Sequence, residues 1–146
     1  MTTVNTYITY NGNCEEAFTF YKTVFGGEFQ YVGRYKEMPS PEEMPQITVE
    51  DDEKIMHISL PVSKETILMG CDAAGEWGTH LIKGNNFSVS ISTDSKEEAD
   101  RLFNGLSEDG KVTMPMVKTF WSSYFGMFTD KFGINWMIGF EEQQKQ

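Results

Sequence analysis

Histidine and cysteine occur only twice each in 146 residues, and that scarcity removes most nucleophilic and metal-binding chemistries at once. Cys14 and Cys71 lack the short spacings of zinc sites, so reduced thiols in a cytoplasmic protein are the expectation. No Ser/His/Asp arrangement is legible. There is no apolar run of the roughly 18 residues needed to cross a bilayer, and Met1-Thr2-Thr3-Val4-Asn5 has neither the basic nor the apolar region of a signal peptide. Basic residues are outnumbered, 12 against 22 acidic, giving a net charge of −10. Such a chain repels phosphate backbones and anionic lipid, which argues against nucleic-acid and membrane partners. The same charge suits a cationic ligand, although acidic solubilising surfaces are common. Low-complexity sequence is absent outside the polar tail 141–146. A chain of this length buries roughly 70% of the surface it exposes when unfolded, enough for one domain over 1–146 without disulfides.

What is present is said twice. The extended run Thr6-Tyr7-Ile8-Thr9-Tyr10 leads into Asn13-Cys14-Glu15-Glu16-Ala17, and Ser88-Val89-Ser90-Ile91-Ser92 leads into Ser95-Lys96-Glu97-Glu98-Ala99. Aligning Ala17 with Ala99 also pairs Glu15 with Glu97, Glu16 with Glu98, Tyr21 with Phe103 and Val24 with Leu106. Cap, acidic first turn and apolar stripe coincide, which divides the chain into modules of about 1–75 and 84–140. The spacing predicts a first helix over 14–25, with Asn13 accepting from the Glu16 N–H in a capping box and Gly26-Gly27 as the stop. Its stripe, Ala17, Phe18, Tyr21, Val24 and Phe25, needs a sheet beneath it. Strand-like runs follow at 28–35, 55–62 and 66–71; a second helix at 96–106 precedes runs at 111–114, 124–129 and 134–140. The order is βαβββ twice, an α+β composition. Between the strands, 36–54 concentrates three prolines and a dense run of acids and reads as a lid-like acidic loop.

These residues resemble the vicinal oxygen chelate superfamily, which includes glyoxalase I, fosfomycin-resistance enzymes, extradiol dioxygenases and bleomycin-resistance proteins. The run Asp130-Lys131-Phe132-Gly133-Ile134-Asn135-Trp136-Met137-Ile138 is similar to the superfamily's turn-and-strand pattern. The chain resembles its PhnB-like branch, once labelled demethylubiquinone methyltransferase-like, through Asn11-Gly12-Asn13-Cys14-Glu15-Glu16-Ala17-Phe18, Phe20-Tyr21, Met56-His57, Met114-Pro115, Thr119-Phe120-Trp121 and Phe125-Gly126. The resemblance implies paired βαβββ modules whose mixed sheets curl around a half-open pocket (the glyoxalase/bleomycin resistance/dihydroxybiphenyl dioxygenase fold) and a homodimer. It supplies no activity. No strand–glycine loop–helix unit is present to cradle a methyl donor's nucleotide.

Metal-dependent members hold a divalent ion with His, Gln or Glu from the first and last strands of each module, because a hard Lewis acid wants oxygen or imidazole ligands and an open coordination site. The resemblance places those positions here near Thr6, Met69, Phe87 or Ser88, and Met137. None carries a suitable donor, and their neighbours Tyr7, Leu68, Gly70, Val89, Trp136 and Ile138 are no better.

Other candidates are few. His57 is either a hydrogen-bonded structural imidazole or a pocket base, donor or lone metal ligand; its alternation leaves open which face of its strand it takes. His80 reads as a solvated loop residue. Cys71 would be a nucleophile only beside a base, for which His57 is the one candidate, and a buried inert thiol is the simpler reading. Met69, Met137, Trp121, Phe125 and Trp136 lie on or beside the strands that the resemblance assigns to the pocket, although aromatics are 14% of the chain and much of that must be core. The reading is a pocket lined by His57, Met69, Trp121, Phe125, Trp136 and Met137 that binds a small organic ligand, aromatic or cationic, without metal or other cofactor. The alternatives are a lyase, isomerase or dioxygenase using a divalent metal held by His57 and nearby carboxylates, and a scaffold with a vestigial cavity.

Overall fold

A computed structural model describes residues 2–37 and 50–142; the greater part of the acidic loop, 38–49, and the tail residues 143–146 lie outside the described residues. The chain divides into two compact units, 1–83 and 84–146. In the first, the order is β1 (Thr6–Tyr10), α1 (Cys14–Phe25), β2 (Tyr31–Arg34), β3 (Ile55–Pro61) and β4 (Ile67–Asp72), followed by a 3-10 turn at Gly75–Thr79. The second repeats it with β5 (Val89–Thr93), α2 (Lys96–Leu106), β6 (Lys111–Val117), β7 (Tyr124–Thr129) and β8 (Asn135–Phe140). The sheets have orders β1-β4-β3-β2 and β5-β8-β7-β6. In each, the first and last strands are parallel and the other pairs antiparallel. This is the expected α+β architecture of two βαβββ four-stranded mixed sheets.

α1 buries Cys14, Ala17, Phe18, Tyr21 and Val24 against the β3–β4 side of its sheet, where Ile58, Leu60 and Leu68 complete the core. Phe25, expected in that stripe, is half-buried. Full burial of a residue such as Phe18 contributes about 2–3 kcal/mol. Gly70 on β4 permits this approach: a Cβ there would stand 2.7 Å from the Ile8 carbonyl oxygen and 2.8 Å from the Phe18 ring. α2 buries Ala99, Leu102, Phe103 and Leu106 over Phe128, Trp136 and Ile138. Pro115 falls in β6, an edge strand whose register shifts on either side of Met114; a missing N–H is tolerated at such a place.

The two helices start differently. Ser95 caps α2 as the sequence implies, its hydroxyl accepting from the Glu98 N–H at 3.1 Å. Asn13 makes no capping bond with its side chain, which corrects the capping-box expectation. The acceptor is Asp72, at the end of β4: its Oδ1 receives the N–H groups of Gly12 at 3.0 Å and Cys14 at 2.9 Å, and its Oδ2 that of Ile55 at 2.9 Å. α1 ends as expected, Gly26 taking a positive φ of 83° while its N–H reaches the Lys22 carbonyl.

Candidate functional site

With α1 covering one face of the first sheet, side-chain alternation assigns every strand residue to the helix side or to the open side. Ile8, Tyr10, Leu68, Gly70 and Ile58 take the helix side. Tyr7 and Thr9 on β1 are paired with Met69 and Cys71 on β4, Met69 with Ser59 on β3, and Ser59 and His57 with Tyr31 and Gly33 on β2. His57, Met69 and Cys71 therefore share the open face, and the orientation left undecided by the sequence is settled for His57.

The open face carries a polar and aromatic cluster. Tyr7 Oη lies 3.3 Å from His57 Nδ1, and the Tyr7 and Tyr31 rings stand 5.6 and 5.7 Å from the imidazole. Gly33 makes room for this, since a Cβ there would come within 2.6 Å of the Tyr31 hydroxyl. Thr9 Oγ1 is 3.8 Å from Cys71 Sγ. Burial, followed by the adjoining Cys71 thiol, pushes the Tyr7 hydroxyl above its ordinary value; the phenol is a stable donor rather than a latent phenolate. Cys14, under the first turn of α1, is raised by burial and by the Asp72 charge, which makes it an inert core thiol.

A cavity of about 480 Å³ opens at the β1–β4 edge, lined by Tyr7, Thr9, Cys71, Asp72, Ala73, His80 and Leu81. The segment that follows β4 folds back to supply its far side: the Ala73 N–H continues the ladder to the Tyr10 carbonyl, and the 3-10 turn brings His80 and Leu81 to the rim. The Gly75 N–H anchors that turn on the Asp51 carboxylate at 3.1 Å. The sequence reading does not place Tyr7, Thr9 or Tyr31 on this face. The alternation of Tyr7 and Thr9 with Ile8 and Tyr10 is the signal that marks the first two.

In the second unit, Met137 pairs with Met127, and Phe125 with Gly139, on the face away from α2. Trp121, 51% exposed, stands edge-on to Phe125 at 5.7 Å and to Phe120 at 4.8 Å. Trp136 lies on the opposite face. It is 1% exposed, stacked on Phe128 at 6.5 Å, and its Nε1–H donates to Asp130 Oδ2 at 2.8 Å. The expectation that it lines a pocket is corrected: its ring fills the core under α2.

The residues at the four metal-type positions do not fit a divalent ion, being Thr6, Met69, Ser88 or Phe87, and Met137. Among the described residues no three His, Cys, Asp or Glu side chains converge, and the groups found around His57 are tyrosines rather than carboxylates. No helix among them is long and apolar enough to cross a membrane.

Comparison with known proteins agrees with this architecture. The family described as 3-demethylubiquinone-9 3-methyltransferase matches residues 2–139. Protein YjdN of Escherichia coli K12 is 34% identical over 143 residues, 94% of this chain and 95% of its own. Protein PA1353 of Pseudomonas aeruginosa is 38% identical and superposes with a TM-score of 0.83 over 98% of this chain and all of its own (100%). A glyoxylase/bleomycin resistance protein/dioxygenase domain from Frankia, 13% identical, shares the fold at a TM-score of 0.66 over 99% of this chain and 96% of its own. The chain belongs to the 3-demethylubiquinone-9 3-methyltransferase family and has the fold of the glyoxalase/bleomycin resistance/dioxygenase proteins.

Proposed function

We propose that this PhnB-like protein binds a small organic molecule without a metal ion, at the open face of its first sheet. The observation that carries the reading is the cavity of about 480 Å³ at the β1–β4 edge, whose size falls within the range of small-molecule pockets and which combines apolar walls with a few convergent polar groups. Tyr7, Thr9 and Cys71 supply those groups; His57 and Met69 extend the same face. The family description names methyl transfer, but both helices begin after a polar residue, Asn13 or Ser95, and neither start has the glycine-rich loop that holds a nucleotide. Superfamily resemblance also supports a homodimer, which light scattering of the purified chain measures directly.

The test is a titration of a broad panel of ring compounds followed by intrinsic fluorescence and by melting temperature, on the native chain and on Thr9→Trp. A saturable response that weakens at least about tenfold when the indole fills the cavity is the expected outcome. Flat titrations across a diverse panel, or binding indifferent to Thr9→Trp, would overturn the reading.

A further inference from the structure

We infer that the cavity at the β1–β4 edge is matched to an uncharged, ring-containing molecule that presents an oxygen acceptor to the Tyr7 and Thr9 hydroxyls. This rests on the small-molecule reading above and adds the charge class of the guest. The cavity's described lining contains no lysine or arginine, and its one imidazole, His80, is exposed at the rim, so a carboxylate or phosphate guest would meet no fixed counter-charge among the described residues. Asp72 is the only acid in that lining, and it is taken. Its side chain turns toward the helix side of the sheet, where both oxygens already receive backbone N–H groups from Gly12, Cys14 and Ile55. An ammonium guest would therefore meet no carboxylate able to turn to it in the described lining.

Removing an unpaired charge from water costs far more than removing a neutral polar group. The net charge of −10 does not alter that balance, because at physiological salt its field is screened over about 8 Å; it affects approach more than the final contact. What the walls offer are neutral groups of adjustable polarity. If the His57 proton sits on Nδ1, the imidazole donates to Tyr7 Oη across their 3.3 Å contact, leaving the phenol proton with the Cys71 thiol as its acceptor, a weak one that a guest oxygen would displace. Thr9 Oγ1 beside Cys71 Sγ adds a second hydroxyl, and Ala73, Leu81 and the Tyr7 ring complete an apolar wall.

The experiment compares four naphthalene derivatives of nearly one shape, bearing acetyl, ethyl, carboxylate or aminomethyl groups. Each is titrated calorimetrically into the full chain at pH 8. The acetyl compound should bind at least about tenfold tighter than either charged one. Tyr7→Phe, at a half-exposed position that tolerates loss of a hydroxyl, should bring the acetyl compound down to the ethyl level and leave the ethyl compound unchanged. Equal or tighter binding of a charged derivative overturns the inference, as does an acetyl affinity indifferent to Tyr7→Phe. Saturable binding that Thr9→Trp abolishes but that shows no preference among the four overturns only the charge class and leaves the small-molecule reading standing. No saturable binding by any of the four overturns the inference itself, and a blank result across the wider panel removes the underlying reading as well.

Discussion

Asp72 shows how much one side chain can carry in this chain. It is 1% exposed, and its two oxygens satisfy three backbone N–H groups while its own carbonyl accepts the Tyr35 hydroxyl at 2.6 Å. Leaving a buried donor unpaired costs about 1–3 kcal/mol, so Asp72→Ala should lose about 3 kcal/mol or more in urea unfolding at pH 7. Asp72→Asn should lose less, because the amide oxygen still serves Gly12 and Cys14 while its NH₂ faces the Ile55 N–H. Equal losses for the two variants would show that volume, not hydrogen bonding, is what matters. Tyr35 makes a pH prediction. Burial, then the neighbouring Cys71 and Asp72, raises its hydroxyl from the usual 10.0 to about 12. The folded state thus holds the proton more tightly than the unfolded one, and this contribution is complete below pH 10 and lost as pH rises toward 12. Tyr35→Phe should flatten the fall in stability over that window, leaving the part due to other raised groups such as Cys14 and Tyr7.

At the level of elements, the two helices look alike in sequence and are started by different means. Ser95→Ala removes the acceptor for the Glu98 N–H and should cost about 1 kcal/mol, the usual value of an N-cap. Asn13→Ala should cost clearly less, within about 0.5 kcal/mol, because the first turn of α1 is capped from β4. Denaturant midpoints of the two variants, measured side by side, test the contrast; equal losses would contradict it. The strands carry a related lesson. β7 and both helices were legible to the residue, since period-2 alternation and the 3.6-residue stripe are local properties. The faces were not. Met137 and Trp136 are neighbours in β8, yet one takes the open face and the other the core, and only the side on which α2 packs decides which is which.

For the molecule as a whole, the βαβββ unit is repeated, while Thr6, Met69 and Met137 stand where the superfamily resemblance places metal ligands. The expected consequence is that protein purified without chelator holds well under one equivalent of divalent metal by elemental analysis, and that EDTA leaves the melting temperature unchanged within about a degree. Metal near one equivalent per chain would overturn the metal-free reading. The order of elements, the class of fold and the absence of coordinating side chains at Thr6, Met69 and Met137 were determined by the sequence alone, because periodicity, turn chemistry and donor type are written in the residues themselves. The candidate site was only half legible. His57, Met69 and Cys71 could be named, but their gathering with Tyr7, Thr9 and Tyr31 depends on strand register across the sheet. Asp72 acts on Cys14 across a separation of 58 residues. No local rule anticipates such a bond, because it exists only once β4 has been laid beside β1.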